Sequence, residues 1–145
     1  MDGISLAASI IQIIDISSRV VTKSIDIYRS SDGQLIEHHE IDHVTKALSN
    51  SAGRIDQLIA KSTARTDAEL EQEQLGAKCR EIADELVEVL NRLNSSGRAG
   101  RWRSFRQALK ATWKEDKIIS LEKRLDRYRQ QMIANIVETL RSLQP

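Results

Sequence analysis

The sequence contains few of the residues from which sheets and turns are built. Aromatic residues make up 3% of the 145 residues, and the only proline is the last residue. Because β-sandwiches and barrels depend on turn residues and on aromatic or β-branched strands, these shortages disfavour an all-β fold. Hydrophobic residues at 40% and charged residues at 30% argue against a disordered tail or an integral membrane protein. The composition predicts one domain of long helices.

The sequence also lacks a second cysteine, so no internal disulfide can form. A single free thiol favours a reduced, intracellular setting. Cys79 shares the helical spacing of Leu75, Ile82 and Leu86. This position predicts a buried structural thiol rather than a nucleophile.

Both halves of the chain contain acidic and basic residues, but the two signs of charge are concentrated in different segments. Residues 67–90 hold eight acids and two bases, whereas residues 98–141 hold twelve bases and five acids, within a net charge of +1. Solvated faces of two neighbouring helices would account for this separation. The alternative is a basic patch that meets anionic lipid or another polyanion.

Apolar residues recur every three or four positions, which is the period of packed helices. We predict an all-α, up-down bundle of four long helices plus one short helix, forming a single domain. Thr66 and Glu69 resemble a capping box, and Gly53 predicts a close helix contact or a kink. The predicted helices cover residues 3–29, 35–61, 67–94, 101–113 and 116–143.

The first predicted helix is apolar on two sides. Residues 3–14 carry no charge, but no basic segment precedes them, and they are too few to span a bilayer alone as a helix. We therefore expect a deeply buried helix rather than a signal peptide. Its two apolar rows are Ile4, Ala7, Ile11 and Ile14, and Leu6, Ile10 and Ile13.

The stretch HEIDH, residues 39–43, matches the H-E-x-x-H pattern of zinc peptidases. His39 and His43 each lie two residues from Ile41, which faces the core, so both imidazoles should point towards water. No third ligand is in reach, because the remaining histidine is the adjacent His38. No phosphate-binding glycine loop occurs either. The sequence predicts a non-enzymatic protein without a metal or cofactor.

The stretch RWRSFRQALKATWK, residues 101–114, combines bases with aromatic residues. Trp102, Phe105, Leu109 and Trp113 share the spacing of a buried helix face, which favours core packing. Lipid-interface binding and nucleic-acid binding are the alternatives. We expect no nucleic-acid partner.

Several stretches resemble the HeLo-like N-terminal domain of fungal NLR-like proteins, in which this domain precedes NACHT-type P-loop NTPase or patatin-like modules. They are MDGISLAASIIQIIDISSRVVTKSIDIYRSSDG, EHHEIDHVTKAL, KCREIADELVEVLNRLN and WRSFRQALKATWKEDKIISLEKRLDRYRQQM, in the family's order. Members of the family often have proline where this chain has Gly3, which loosens the first turn.

The resemblance implies an effector of cell death in fungal innate immunity and heterokaryon incompatibility. Such a domain would be cytoplasmic, would cluster through downstream domains of the same chain, and would attack the plasma membrane with its first helix. The alternative is an adaptor or oligomerisation module without membrane activity. The residues implied for the membrane or oligomer helix are Ile4, Leu6, Ile10, Ile11, Ile13 and Ile14. Those expected to meet anionic lipid are Arg101, Arg103, Arg106 and Lys110.

Overall fold

The fold is seen in a computed structural model, which describes residues 2–29, 38–64, 66–96, 109–111 and 113–142. Four long helices account for most of this part of the chain, and no strand occurs within it. Within the short helix predicted at 101–113, residues 109–111 are described and helical, whereas Trp113 is described as a bend. The long helices are α1, Asp2–Arg29; α2, His38–Ala60; α3, Asp67–Ser96; and α4, Glu115–Ser142. The all-α bundle is confirmed.

The start of α3 shows how local sequence sets a boundary. The hydroxyl of Thr66 accepts a hydrogen bond from the backbone N–H of Glu69 at 3.1 Å, which satisfies one of the free donors at the helix start. Asp67 and Glu69 also lie in the first turn, where the helix dipole favours negative charge. The predicted N-terminal cap at Thr66 is therefore confirmed.

Two ion pairs show that α1 and α4 run antiparallel. Nη1 of Arg129 lies 2.6 Å from Oδ1 of Asp15, and Nε of Arg29 lies 3.5 Å from Oε1 of Glu115. Residue numbers rise along α1 while they fall along α4. Two contacts between α3 and α4 establish the relative direction of these helices in the same way.

The side-chain amide of Asn135 donates to the carbonyl of Ala68 at 2.8 Å, and Nζ of Lys117 lies 3.9 Å from Oε1 of Glu85. These contacts make α3 antiparallel to α4, and hence parallel to α1. The first helix packs against each of the other three, whereas α2 and α4 lie on opposite sides of the α1–α3 pair. The arrangement is the predicted up-down bundle, with α1 and α3 in contact between α2 and α4.

Contact with three neighbouring helices widens the arc of side chains that α1 buries. Ile10 and Ile13 have no exposed surface, and Ile14 is equally buried, whereas Ile11 is only partly buried. The core direction is therefore turned towards the row of Leu6, Ile10 and Ile13. A helix with three neighbours buries more than a single stripe of residues.

The close approach of helices occurs at a different glycine from the one predicted. A Cβ atom placed on Gly53 would meet nothing within 4 Å, so the expected close contact there is wrong, and α2 continues through this position without a break. A Cβ atom on Gly76 would lie 3.4 Å from Cδ1 of Ile10 and of Ile59. Gly76 therefore lies where α1, α2 and α3 pack closely against one another.

Candidate functional site

The candidate membrane residues of α1 lie inside the bundle. Leu6 is 5% exposed, and Ile10, Ile13 and Ile14 are fully buried. Ile11 is partly buried, and the side chain of Ile4 lies outside the described part of the structure. In this conformation the predicted residues form core rather than surface, so contact with lipid requires α1 to move.

Among the described residues, polar side-chain contacts to other helices involve the second half of α1. Arg129 pairs with Asp15 and also reaches the hydroxyl of Ser18 at 3.5 Å. The hydroxyl of Tyr28 donates to the carbonyl of Trp113 at 2.7 Å. Within the described residues, every side-chain hydrogen bond or ion pair from α1 to another helix lies between positions 15 and 29. Residues 5–14 are attached by apolar packing.

The outer face of the first half of α1 is small and uncharged. Ser5, Ala8 and Gln12 are exposed, and the first charged side chains after them are Asp15 and Arg19. The segment Ser5–Arg29 is long and apolar enough to cross a membrane, with a mean hydropathy of 1.3, and half of its qualifying window is buried. The qualifying segment extends well beyond residues 3–14, which alone are too short. The buried core helix of a soluble protein meets the same criterion.

The predicted anionic-lipid residues are not brought next to the apolar half of α1. Lys110 is exposed, and its ammonium lies 5.8 Å from the ring centre of Tyr28, near the C-terminal end of α1. Tyr28 and Ile10 are about 27 Å apart along the helix at 1.5 Å per residue. Arg101, Arg103 and Arg106 lie outside the described residues.

The residues of the zinc-peptidase pattern are placed on the surface as far as they are described. His43 is exposed, as predicted, while the side chains of His38 and His39 lie outside the described set. In the described ranges, no group of three or more His, Cys, Asp or Glu side chains is placed to hold a metal ion.

Cys79 behaves as the sequence predicts. Its side chain is 1% exposed, and burial raises the pKa of its thiol to about 12. Because the thiolate is the reactive form, the buried thiol stays protonated and unreactive at neutral pH.

A groove between α1 and α2 was not predicted from the sequence. It has a volume of about 300 Å³, and its floor includes Ile27, Ile41 and Leu93 from three different helices. Arg19 and Lys23 lie along its α1 edge. Their spacing of four residues is visible in the sequence, but the groove exists only once three helices are assembled.

Over the described residues, the fold is an all-α, up-down bundle of four long helices. Comparisons with protein-family models, with curated proteins and with solved structures each found no match to the chain.

Proposed function

We propose that the chain is the membrane-targeting effector domain of a fungal NLR-like immune receptor. In the resting bundle, α1 packs against the other three long helices. When downstream domains of the same chain cluster several copies, α1 leaves the bundle and places its apolar face in lipid or against copies of itself. The protein would be cytoplasmic at rest, would act at the plasma membrane, and would catalyse no reaction.

The observation that carries the proposal is the uneven attachment of α1. Residues 5–14 are held by apolar packing, whereas the ties through Asp15, Tyr28 and Arg29 anchor the second half. Apolar packing is non-directional, and a lipid interior satisfies the same side chains equally well. The first half of α1 can therefore exchange its partners without breaking a hydrogen bond or ion pair to another helix that the described side chains make.

Energetics require such an exchange to end in a new apolar environment. Exposing one buried Leu or Ile side chain to water costs about 1.5–3 kcal/mol. Leu6, Ile10, Ile13 and Ile14 are all buried, so their combined cost approaches the whole stability of a typical domain, about 5–15 kcal/mol. Release into water is unfavourable, and clustering near a membrane supplies the alternative surface.

A second function, that of an adaptor without membrane activity, is favoured by a different observation. Ile133, Val137 and Leu140 are 53%, 46% and 55% exposed, and their spacing places them along one side of α4. Exposed apolar side chains in a row are typical of protein–protein contacts. An adaptor would use this face and leave α1 in the core.

Dye release from anionic vesicles separates the two functions when α1 is tethered. Ala8 of α1 and Gln57 of α2 are exposed and line one surface groove. Cysteines at both positions can be joined by a short, reducible bismaleimide, while the buried Cys79 stays unlabelled. A His-tagged domain is then clustered on vesicles that contain nickel-chelating lipid.

The matched control joins α2 to α3 and leaves α1 free. Asp56 and Arg80 form an ion pair at 2.9 Å, so cysteines at these two positions accept the same reagent. We expect leakage from the control, no leakage from the protein bridged between positions 8 and 57, and recovery after reduction. Equal leakage from both bridged proteins would refute release of α1. No leakage or vesicle binding by any clustered variant would favour the adaptor.

A charge substitution provides an independent test. Ile11 is partly buried and Gln12 is exposed, so Ile11→Glu and Gln12→Glu add the same charge to neighbouring positions of α1. We expect Ile11→Glu to abolish leakage while remaining helical by circular dichroism, and Gln12→Glu to leak like the wild type.

A further inference from the structure

We propose that the groove between α1 and α2 binds a free amphiphile with one aliphatic chain and an anionic head group. The groove is called the α1–α2 groove below. It is lined by side chains of α1 between Ile16 and Ile27, of α2 between Glu40 and Ala47, and by Leu90 and Leu93 of α3.

The floor of the α1–α2 groove suits an aliphatic chain. Ile27, Ile41, Leu90 and Leu93 are buried side chains that line it, and Val44 contributes a partly buried wall. Its volume of about 300 Å³ lies at the lower end of the range for small-molecule sites, about 300–1,000 Å³. A single chain fits this size class better than a two-chain lipid.

The edge of the groove selects the charge of the head group. Arg19 and Lys23 are exposed and lie one turn apart on the same side of α1. Neither forms an ion pair with any residue of the described ranges, so both cations are available to a carboxylate or phosphate. Glu40 carries the opposing charge within the lining, and the exposed His43 also lines the groove. Asp15 and Asp26 lie outside this lining, although they share a neighbouring surface groove with the two cations.

Occupation of the groove would hold α1 in place, an inference that rests on the proposed function. A ligand there touches α1, α2 and α3 at once and binds the assembled bundle only. By mass action it stabilises the resting conformation against any state in which α1 has left. Because the groove is lined by the anchored half of α1, between Ile16 and Ile27, the free amphiphile would act as an inhibitor of any α1 release that extends beyond residue 14.

The first experiment measures binding without any membrane. Dodecanoate and dodecyl phosphate, both below the concentration at which they form micelles, are compared with dodecanol, dodecyltrimethylammonium and inorganic phosphate. Isothermal titration and the thermal unfolding midpoint are recorded for the full chain. We expect the two anionic amphiphiles to bind and raise the midpoint, and the cationic amphiphile and inorganic phosphate to do neither.

Variants locate the site. Lys23→Gln and Arg19→Gln should each weaken dodecyl phosphate binding about tenfold, because each removes a charge-assisted hydrogen bond. Lys46→Gln is the matched control, since Lys46 is exposed on α2 and does not line the groove. Glu40→Gln should strengthen binding. Ala47→Phe fills the groove without a change of charge and should abolish binding.

Three outcomes would overturn the proposal: equal affinity for dodecyltrimethylammonium, binding that survives Ala47→Phe in a folded protein, or equal weakening by Lys46→Gln. Vesicles of two-chain anionic lipid test whether a membrane, rather than a free amphiphile, supplies the aliphatic chain and the anionic head group. Ala47→Phe should leave vesicle binding unchanged, and a parallel loss would show that the groove serves a membrane rather than a free amphiphile.

The leakage assay separates this inference from the proposed function. Dodecanoate should reduce leakage by the wild type but not by Ala47→Phe. Binding without any leakage by the clustered wild type would support the groove and contradict the membrane effector. Leakage that dodecanoate leaves unchanged, despite saturated binding, would overturn the inhibitory role.

Discussion

Gly53 and Gly76 occupy helix interiors but have different surroundings, which gives them opposite tolerance of side chains. Alanine is favoured over glycine in a helix by about 1 kcal/mol. Because nothing lies within 4 Å of a Cβ atom at position 53, Gly53→Ala should raise the free energy of unfolding by about that amount. Urea denaturation followed by circular dichroism measures the change.

Leucine distinguishes the two sites more sharply. At position 76 its side chain would collide with Ile10, Ile55 and Ile59, so Gly76→Leu should destabilise the protein by about 1–3 kcal/mol. Gly53→Leu is the matched control and should not destabilise it. Equal effects at the two positions would contradict the close approach of three helices at Gly76.

Cys79 provides a second test at the residue scale. Burial raises the pKa of its thiol from 9.0 to about 12, so maleimide should not label the native protein at neutral pH and should label it in urea. A cysteine introduced at the exposed Ala8 is the positive control. Rapid labelling of native wild-type protein would show that α3 does not bury this thiol.

The same pKa shift predicts a dependence of stability on pH. The folded state keeps the thiol protonated, whereas the unfolded state loses the proton above its ordinary pKa. The contribution of Cys79 is therefore fully present below pH 9 and is lost as the pH rises towards 12. A Cys79→Ala variant should lose less stability than the wild type across this interval.

At the scale of elements, the helical period of the sequence defines the four long helices well, because each has a long apolar row and polar boundaries. The exact side of α1 that faces the core was harder to predict. Two apolar rows compete in its first half, and the choice between Ile10 and Ile11 depends on how many helices surround α1. That number is a property of the assembled bundle rather than of α1 alone.

The ion pair between α1 and α4 should make a small contribution to the bundle. Asp15 and Arg129 retain 41% and 35% of their side-chain exposure, and exposed pairs contribute about 0.2–1 kcal/mol. Asp15→Asn, Arg129→Gln and the double variant form a mutant cycle. We expect a coupling energy in that range, reduced by salt, with unchanged helix content.

The same cycle bears on function. If α1 release causes leakage, the single variants should leak somewhat faster than the wild type, because one tie at the start of the anchored half is gone. The Arg80 and Asp56 pair joins α2 to α3, so Asp56→Asn is the control that should leave leakage unchanged. Slower leakage from Asp15→Asn would contradict the order of release.

At the scale of the whole molecule, the sequence could not predict the α1–α2 groove or the close helix contact at Gly76. Arg19 and Lys23 look like ordinary solvated residues until α2 and α3 supply an apolar floor beside them. Likewise, the close helix contact at Gly76 exists only because Ile10 and Ile59, which are distant in sequence, pack against it. Such features depend on long-range packing between helices, which the spacing of apolar residues within one helix does not predict.

The contacts of α1 with the other three long helices lead to a final prediction about the cooperative unfolding of the bundle. Removing residues 2–14 deletes Leu6, Ala7, Ile10, Ile13 and Ile14 from the core, and α1 packs against all three other long helices. The loss approaches the full stability of a small domain. We expect the shortened chain to retain some helix but to lose its cooperative thermal transition, and to bind a dye that detects exposed apolar surface.

Leakage by such a truncated chain would therefore not be a clean control for α1, since its remaining helices expose their own core. The matched control replaces only exposed side chains of the same segment, with Ser5→Ala and Gln12→Ala in one protein, and should unfold like the wild type. A cooperative transition at an unchanged midpoint in the truncated chain would show that α2, α3 and α4 fold without α1. Release of α1 would then carry little energetic cost, and the membrane would no longer be needed to offset it.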